Sequence, residues 1–216
     1  MIWSMFLRFL RAPLSDKILR LRSVYWKAKT QLFYRVLLKK VGRNTVIYRP
    51  MFICNADCIE IADHVSIRDG VRLEAIRDSY GRTPSLTIGA NTLIEQGVQI
   101  VCHNRVTIGR DVSITGRCAI VDVTHPYDDI SVNNIGAQIA NDDSFVEIGD
   151  GAFLGFGAVI LANVRIGKRA VIGANSVVTR DVPAYSIVAG APARVIKVYS
   201  HEMHQWVEPA PESRSI

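Results

Sequence analysis

The chain has no apolar run long enough to cross a bilayer. The opening Met1-Ile2-Trp3-Ser4-Met5-Phe6-Leu7 is apolar, but Arg8 and Arg11 interrupt it, and a spanning helix needs roughly 20 such residues. Cysteine is sparse: four in 216 residues, with Cys54-x3-Cys58 lacking the second pair that a zinc site or disulfide framework would need. Buried reduced thiols are the better reading. With no secretory signal, they point to a reducing, cytoplasmic setting. Acid is nearly missing from the start: residues 1–43 hold eleven Lys or Arg against Asp16 alone, a net +10, which leaves −4 for the rest of the chain. An acidic body and the lack of a recognition motif argue against nucleic acid as a partner.

What is present is a period of six. The cleanest run is Ile148-Gly149, Leu154-Gly155, Ile160, Ile166-Gly167, Ile172-Gly173 and Val178. Six residues are too few for a helical repeat and match the hexapeptide unit of parallel β-helices, one short strand and a turn each. Earlier units start at Val41, Ile47, Ile53, Ile61, Ile67, Leu73, Ile88, Ile94, Ile100, Ile108, Ile114 and Ile120. Grouped in threes, the eighteen units make six coils. The insertions between coils are 2, 9, 2, 22 and 0 residues, each after a third unit, so all leave one corner of a triangular prism. The fifth unit position carries small or β-branched residues such as Val65, Val98, Cys118, Ala152 and Ala170, expected to face inward. Glycine at the second position is read as supplying a backbone geometry that side chains disfavour.

Around this domain, residues 41–197, lie two other segments. In residues 1–40, Ser15 is the expected N-cap of a helix whose face is Ile18, Leu21, Tyr25, Ala28, Leu32 and Val36. Two readings stand together: a cap over the open end of the solenoid, and peripheral contact with an anionic membrane through residues 1–40, with Trp3 and Phe6 entering the headgroups. Residues 198–216 read as a tail.

The longest insertion, the loop 126–147, follows Asp122-Val123-Thr124-His125-Pro126-Tyr127-Asp128-Asp129. His125 alone of the five histidines sits where a regular strand gives way to this loop. A rigid wall holds it at the edge of a cleft, and imidazole is the usual general base near neutral pH. A carboxylate, Asp122 or Asp128, or a backbone carbonyl should fix its tautomer.

Three stretches carry a specific resemblance: Ile148-Gly-Asp-Gly-Ala-Phe-Leu-Gly-Phe-Gly-Ala-Val-Ile, Val171-Ile-Gly-Ala-Asn-Ser-Val-Val-Thr-Arg-Asp-Val-Pro, and Val188-Ala-Gly-Ala-Pro-Ala-Arg-Val-Ile. With Thr124-His125-Pro126, the chain resembles the hexapeptide-repeat O-acetyltransferases, near the maltose, galactoside, nodulation-factor and capsular or colanic-acid subgroup. That resemblance implies an all-β fold, a left-handed parallel β-helix of about six coils with an N-terminal helical segment and one protruding loop. It implies a homotrimer with acetyl-CoA as co-substrate in the groove between two prisms, and no metal. By motif, Gly155, Gly157 and Ala174 approach the thioester and pantetheine, Thr179 and Arg180 the 3′-phosphate, and Arg194 the nucleotide. Glu95 and Gln96, where relatives often place Asn, and Tyr127 are candidate contacts to the acceptor. Phe153 stands where several relatives carry Trp.

The expected activity is transfer of acetyl to a sugar or glycolipid hydroxyl in surface-polysaccharide synthesis, with His125, Asp122 and Asp128 as catalytic candidates. The alternative is N-acetylation of an amino-sugar nucleotide. A γ-type carbonic anhydrase needs three imidazoles on zinc, but His103 takes the fourth position of its unit and His125 the sixth, while His64 sits at a different corner. A non-catalytic scaffold is disfavoured by the coenzyme-type motifs.

Overall fold

The computed structural model describes residues 13–78, 81–128, 130–131 and 133–209. Three parallel sheets wrap one core. The first holds β1 (Lys40–Val41), β4 (Ile59–Ile61), β7 (Ser85–Ile88), β10 (Arg105–Ile108), β13 (Phe145–Ile148) and β16 (Val164–Ile166). The second begins with β2 (Val46–Ile47), β5 (Ser66–Ile67), β8 (Leu93–Ile94), β11 (Ser113–Ile114), β14 (Phe153–Leu154) and β17 (Val171–Ile172). The third holds β3 (Phe52–Cys54), β6 (Arg72–Ala75), β9 (Gln99–Cys102), β12 (Ala119–Val121), β15 (Val159–Ile160) and β18 (Val177–Val178).

All eighteen expected aliphatic positions pair in register. The second sheet, for example, aligns Ile47, Ile67, Ile94, Ile114, Leu154 and Ile172 in one column. These side chains are buried, and burying each contributes about 1.5–3 kcal/mol. The small residues at the fifth position fill the corners: Val65, Val98, Val112, Cys118, Ala152 and Ala170 are all buried. None of the cysteines is in a disulfide.

The glycines act differently from expectation. Positive φ falls at the fourth residue of a unit, as at Asn91, Asp111, Asn175 and Gly157 (φ 70°). The second-position glycine instead answers to space. A Cβ on Gly155 would lie 2.6 Å from the Ala174 nitrogen of the next coil. Coils stack at the strand spacing of about 4.8 Å, and there a methyl group has no room.

Helix α1 (Leu14–Lys29) continues into a π-turn at Thr30–Tyr34. Ser15 is not its cap. The helix opens after Pro13, whose carbonyl accepts from the Asp16 and Lys17 amides, and no side chain caps it. Nor is the expected face the packed one. Trp26, Thr30, Tyr34 and Leu38 are buried, a four-residue spacing that the π-turn helps to keep in line. Thr30 Oγ1 accepts from the Ile47 amide at 2.9 Å and donates to the Trp26 carbonyl at 2.7 Å. It thereby satisfies an edge donor of the first coil. The expected lipid contacts Trp3 and Phe6 lie outside the described residues.

The far end also departs from expectation. β19 (Ser186–Gly190) adds to the second sheet beside β17, and β20 (Ala193–Ser200) and β21 (Gln205–Val207) follow antiparallel. Residues 198–207 are therefore strand and turn rather than tail. Tyr199 packs edge-on against Trp206 (5.4 Å between centroids) and His201 against Tyr185 (4.8 Å). These contacts carry no hexapeptide phase.

Candidate active site

The longest connection runs from 122 to 144, because β13 already begins at Phe145. Asp122, at its root, is fully buried. One carboxylate oxygen accepts from the His103 amide (2.6 Å), the other from the amides of Asn104 (2.9 Å) and Arg105 (2.7 Å). Burial pushes this carboxyl above the usual range, while the three donors pull it back. None of these bonds reaches His125. Asp122 closes the turn of the preceding coil and is not the partner expected for the imidazole.

His125 is half-buried, and its Nδ1 lies 2.6 Å from the backbone carbonyl of Gln138. A carbonyl only accepts, so Nδ1 carries a proton, and in the neutral ring Nε2 is then the nitrogen with the free lone pair. Of the alternatives left open by the sequence, the carbonyl holds the ring. Asp128 and Tyr127 are exposed, and the Tyr127 amide turns back onto the His125 carbonyl at 2.8 Å. Asp129 lies outside the described residues.

The return limb that presents Gln138 is pinned from two sides. The Ala140 amide donates to the Thr124 carbonyl (3.0 Å), and Thr124 Oγ1 donates to Asp142 Oδ2 (2.5 Å). From the nine-residue insertion, Arg82 reaches the Asp142 carbonyl, Asp143 Oδ1 (3.2 Å) and Asn141 Oδ1 (2.6 Å). That insertion is anchored in turn by Asp78, which bonds the buried His103 ring at 2.8 Å. Arg82, Asp142 and Gln138 carried no signal in the sequence. The insertions sharing one corner were the only hint that they would meet.

The remaining candidates divide between corners. Thr179 and Arg180 are exposed at the corner that bears His125, two coils further on. Glu95, Gln96, Gly155, Gly157 and Ala174 stand at the next corner, between the second and third sheets. Glu95 faces Arg68 at 4.0 Å. Arg194 is exposed on β20, opposite Ala189. Within one chain the width of the third sheet separates His125 from the glycine corner. The outer face of that sheet is apolar only toward its C-terminal coils, with Ala119, Val159 and Val177 in one row and Val101 and Val121 in the next, and the same rows continue into Gln99, Arg72 and Glu74 in the earlier coils. The first sheet instead displays Glu60, Thr87, Thr107, Glu147 and Arg165, with Arg105 and Arg165 both on Glu147 (3.0 and 3.1 Å). Among the described residues no three His, Cys, Asp or Glu side chains converge on a common point.

Residues 145–180 match the family model described as bacterial transferase hexapeptide (six repeats). The chain is 35 % identical to a putative lipopolysaccharide biosynthesis O-acetyl transferase, WbbJ of Escherichia coli K12, over 79 % of its own length and 88 % of the relative's. The chain belongs to the hexapeptide-repeat acetyltransferases. Two solved structures share the fold of this acetyltransferase, a left-handed parallel β-helix. AntD, an N-acyltransferase from Bacillus cereus in complex with dTDP and 3-hydroxybutyryl-CoA, has a TM-score of 0.66 at 19 % identity, covering 81 % of this chain and 90 % of its own. The hexapeptide-repeat acetyltransferase VCA0836 of Vibrio cholerae, complexed with acetyl coenzyme A, has a TM-score of 0.56 at 24 % identity, covering 88 % and 91 %.

Proposed function

We propose that this acetyltransferase moves acetyl from acetyl-CoA to a sugar hydroxyl during synthesis of a surface polysaccharide (capsule, exopolysaccharide or lipopolysaccharide), with His125 as general base. The observation that carries the reading is the 2.6 Å contact between His125 Nδ1 and the Gln138 carbonyl. With Nδ1 so engaged, the neutral ring offers Nε2 as its acceptor.

A sugar hydroxyl is almost wholly un-ionised at neutral pH, so its attack on a thioester needs proton removal in the same step. His125 Nε2 takes that proton as the oxygen bonds to the thioester carbon. The tetrahedral intermediate then collapses, the carbon–sulfur bond breaks, and the imidazolium returns its proton to the departing CoA sulfur. Atoms and charge balance without an acyl-enzyme. Cys118 is fully buried and burial raises its thiol, which argues against it as a nucleophile.

The site is read as shared between copies in a homotrimer. His125, Thr179 and Arg180 of one chain face the corner of a neighbour that bears Gly155, Gly157 and Ala174. Those residues, with Arg194, take the coenzyme; Glu95, Gln96 and Tyr127 remain the candidates for the acceptor. The apolar patch of Ala119, Val121, Val159 and Val177 on the third sheet supports burial of that part of the face between copies. The acceptor is a sugar or glycolipid, met in the cytoplasm at the inner face of the membrane, which the protein touches through residues 1–40. Among the described residues no helix is long and apolar enough to cross a membrane.

The test is turnover of acetyl-CoA with candidate glycans. His125→Ala should lower kcat by about 10²–10⁴-fold while leaving assembly intact. A near-normal rate from that variant would remove the mechanism. Alkaline lability of the product separates an ester from the amide that N-acetylation would give.

A further inference from the structure

Helix α1 has two apolar faces, and the fold uses one. Trp26, Thr30, Tyr34 and Leu38 seal the first coil. Leu14, Ile18, Leu21, Tyr25, Leu32 and Val36 form a separate stripe, each between 56 and 85 % exposed. Consecutive members are three, four or seven apart, so they lie along one line of the helix. Lys17, Lys29 and Arg35 fall beside that line on the helical wheel. An unpartnered apolar line of this length marks an interaction surface.

Where the helix ends, its cations gather around a cavity of about 340 Å³ lined by Arg35, Lys39, Lys40, Arg43 and Asp63. Lys39 pairs with Glu60 (2.8 Å) and Arg43 with Asp63 (3.3 Å). Arg35 and Lys40 make no ion pair among the described residues. Leu32 and Val36, the last residues of the stripe, flank Arg35 in the chain. An apolar line thus runs into a cluster that is positive on balance, Arg35, Lys39, Lys40 and Arg43 against Glu60 and Asp63.

We propose that this end of the molecule docks on an anionic phospholipid bilayer. The stripe enters the acyl boundary, and the cavity at Arg35 and Lys40 receives a phosphate headgroup. Charge decides between lipid and a second copy of the helix. Residues 1–43 carry eleven cations and one acid, so stripe-to-stripe contact would set like charges together, whereas an anionic leaflet supplies the missing sign. A helix of this kind lies in the interface plane. The proposal deepens the membrane contact stated above by naming its residues and its lipid, and it is independent of the acetyl-transfer chemistry.

The experiment is co-sedimentation of the full chain with phosphatidylcholine vesicles, with and without phosphatidylglycerol, alongside light scattering. The wild type should pellet with the anionic vesicles and be released by salt. Arg35→Ala with Lys40→Ala should weaken that binding about tenfold or more. Leu21→Glu with Leu32→Glu should weaken it about a hundredfold, with the size of the assembly unchanged. Three results would overturn the proposal. One is wild-type protein that ignores anionic vesicles. Another is a stripe variant that changes assembly size but keeps its lipid affinity, which would make the stripe a contact between copies. The third is full release by inorganic phosphate at constant ionic strength, which would make the cavity a site for free phosphate. Acetyl transfer to a soluble acceptor should be unaltered in both variants, so loss of docking leaves the catalytic reading standing.

Discussion

Thr124 Oγ1 donates to Asp142 Oδ2 at 2.5 Å across the mouth of the long loop, one residue before the imidazole of His125. With Arg82 gripping the backbone and side chains of 141–143, this bond holds the strand of loop that carries the Gln138 carbonyl. Loosening it should change the aim of the ring without removing the proposed base. Thr124→Val and Arg82→Ala should each lower kcat about tenfold to a hundredfold, since misplacement of about 1 Å suffices for that loss. The KM for acetyl-CoA should hold, because neither residue is a candidate for coenzyme contact. Steady-state kinetics on both substrates checks the split, and an equal rise in KM for acetyl-CoA would refute it.

Asp122 gives a contrasting outcome. Its carboxylate serves three buried or half-buried amides, and Asp122→Ala leaves all three without an acceptor. The cost is about 3 kcal/mol or more, read as a fall in thermal midpoint. Were Asp122 instead the orienting partner of His125, activity would fall while the midpoint stayed near its wild-type value.

How far these residues were legible depended on which force placed them. Every inward position from Val41 to Val178 followed from the period, because burial selects aliphatic side chains and the coil repeats strictly. His125 followed from sitting where that period stops. Gln138 acts through its carbonyl, which any residue possesses, so its identity carried no trace. Arg82 lies 60 residues from Asp142, and only the shared corner brings them together. Helix α1 misled because both its faces are apolar. The packed row is marked by Trp26 and by the hydrogen bonds of Thr30, and the longer aliphatic line was left outside. The hairpin of β20 and β21 answers to aromatic contacts and strand pairing rather than to six-residue spacing, so it read as a tail.

The buried thiols bear on alkaline stability. Burial raises Cys118 above its ordinary value of 9.0, and Cys102 moves the same way for the same reason. A raised value means that the folded thiol stays protonated after the unfolded one has ionised. The contribution is complete below pH 9.0 and is lost as pH climbs toward the folded value. Cys118→Val puts at the fifth position the residue already found at Val98 and Val112, both buried. It should fold normally and flatten the fall in stability above that pH, as urea titrations at neutral and alkaline pH would show. An unchanged alkaline slope would contradict this account.

The proposed sharing of the site between copies makes a prediction that a self-contained site does not. His125 stands at one corner and Ala174 at the next, with the third sheet between them. Ala174→Asp places a carboxylate where the coenzyme arm is expected, and His125→Ala removes the base, so each homogeneous trimer should be inactive. In a cyclic trimer every interface joins one corner of one chain to the other corner of its neighbour. A mixed trimer therefore always has one interface pairing an intact His125 with an intact Ala174. Coexpressing the two variants with distinct tags, and purifying through both, should recover about one third of the wild-type rate per trimer. If each chain completed its own site, the mixed assembly would stay as inactive as its parents.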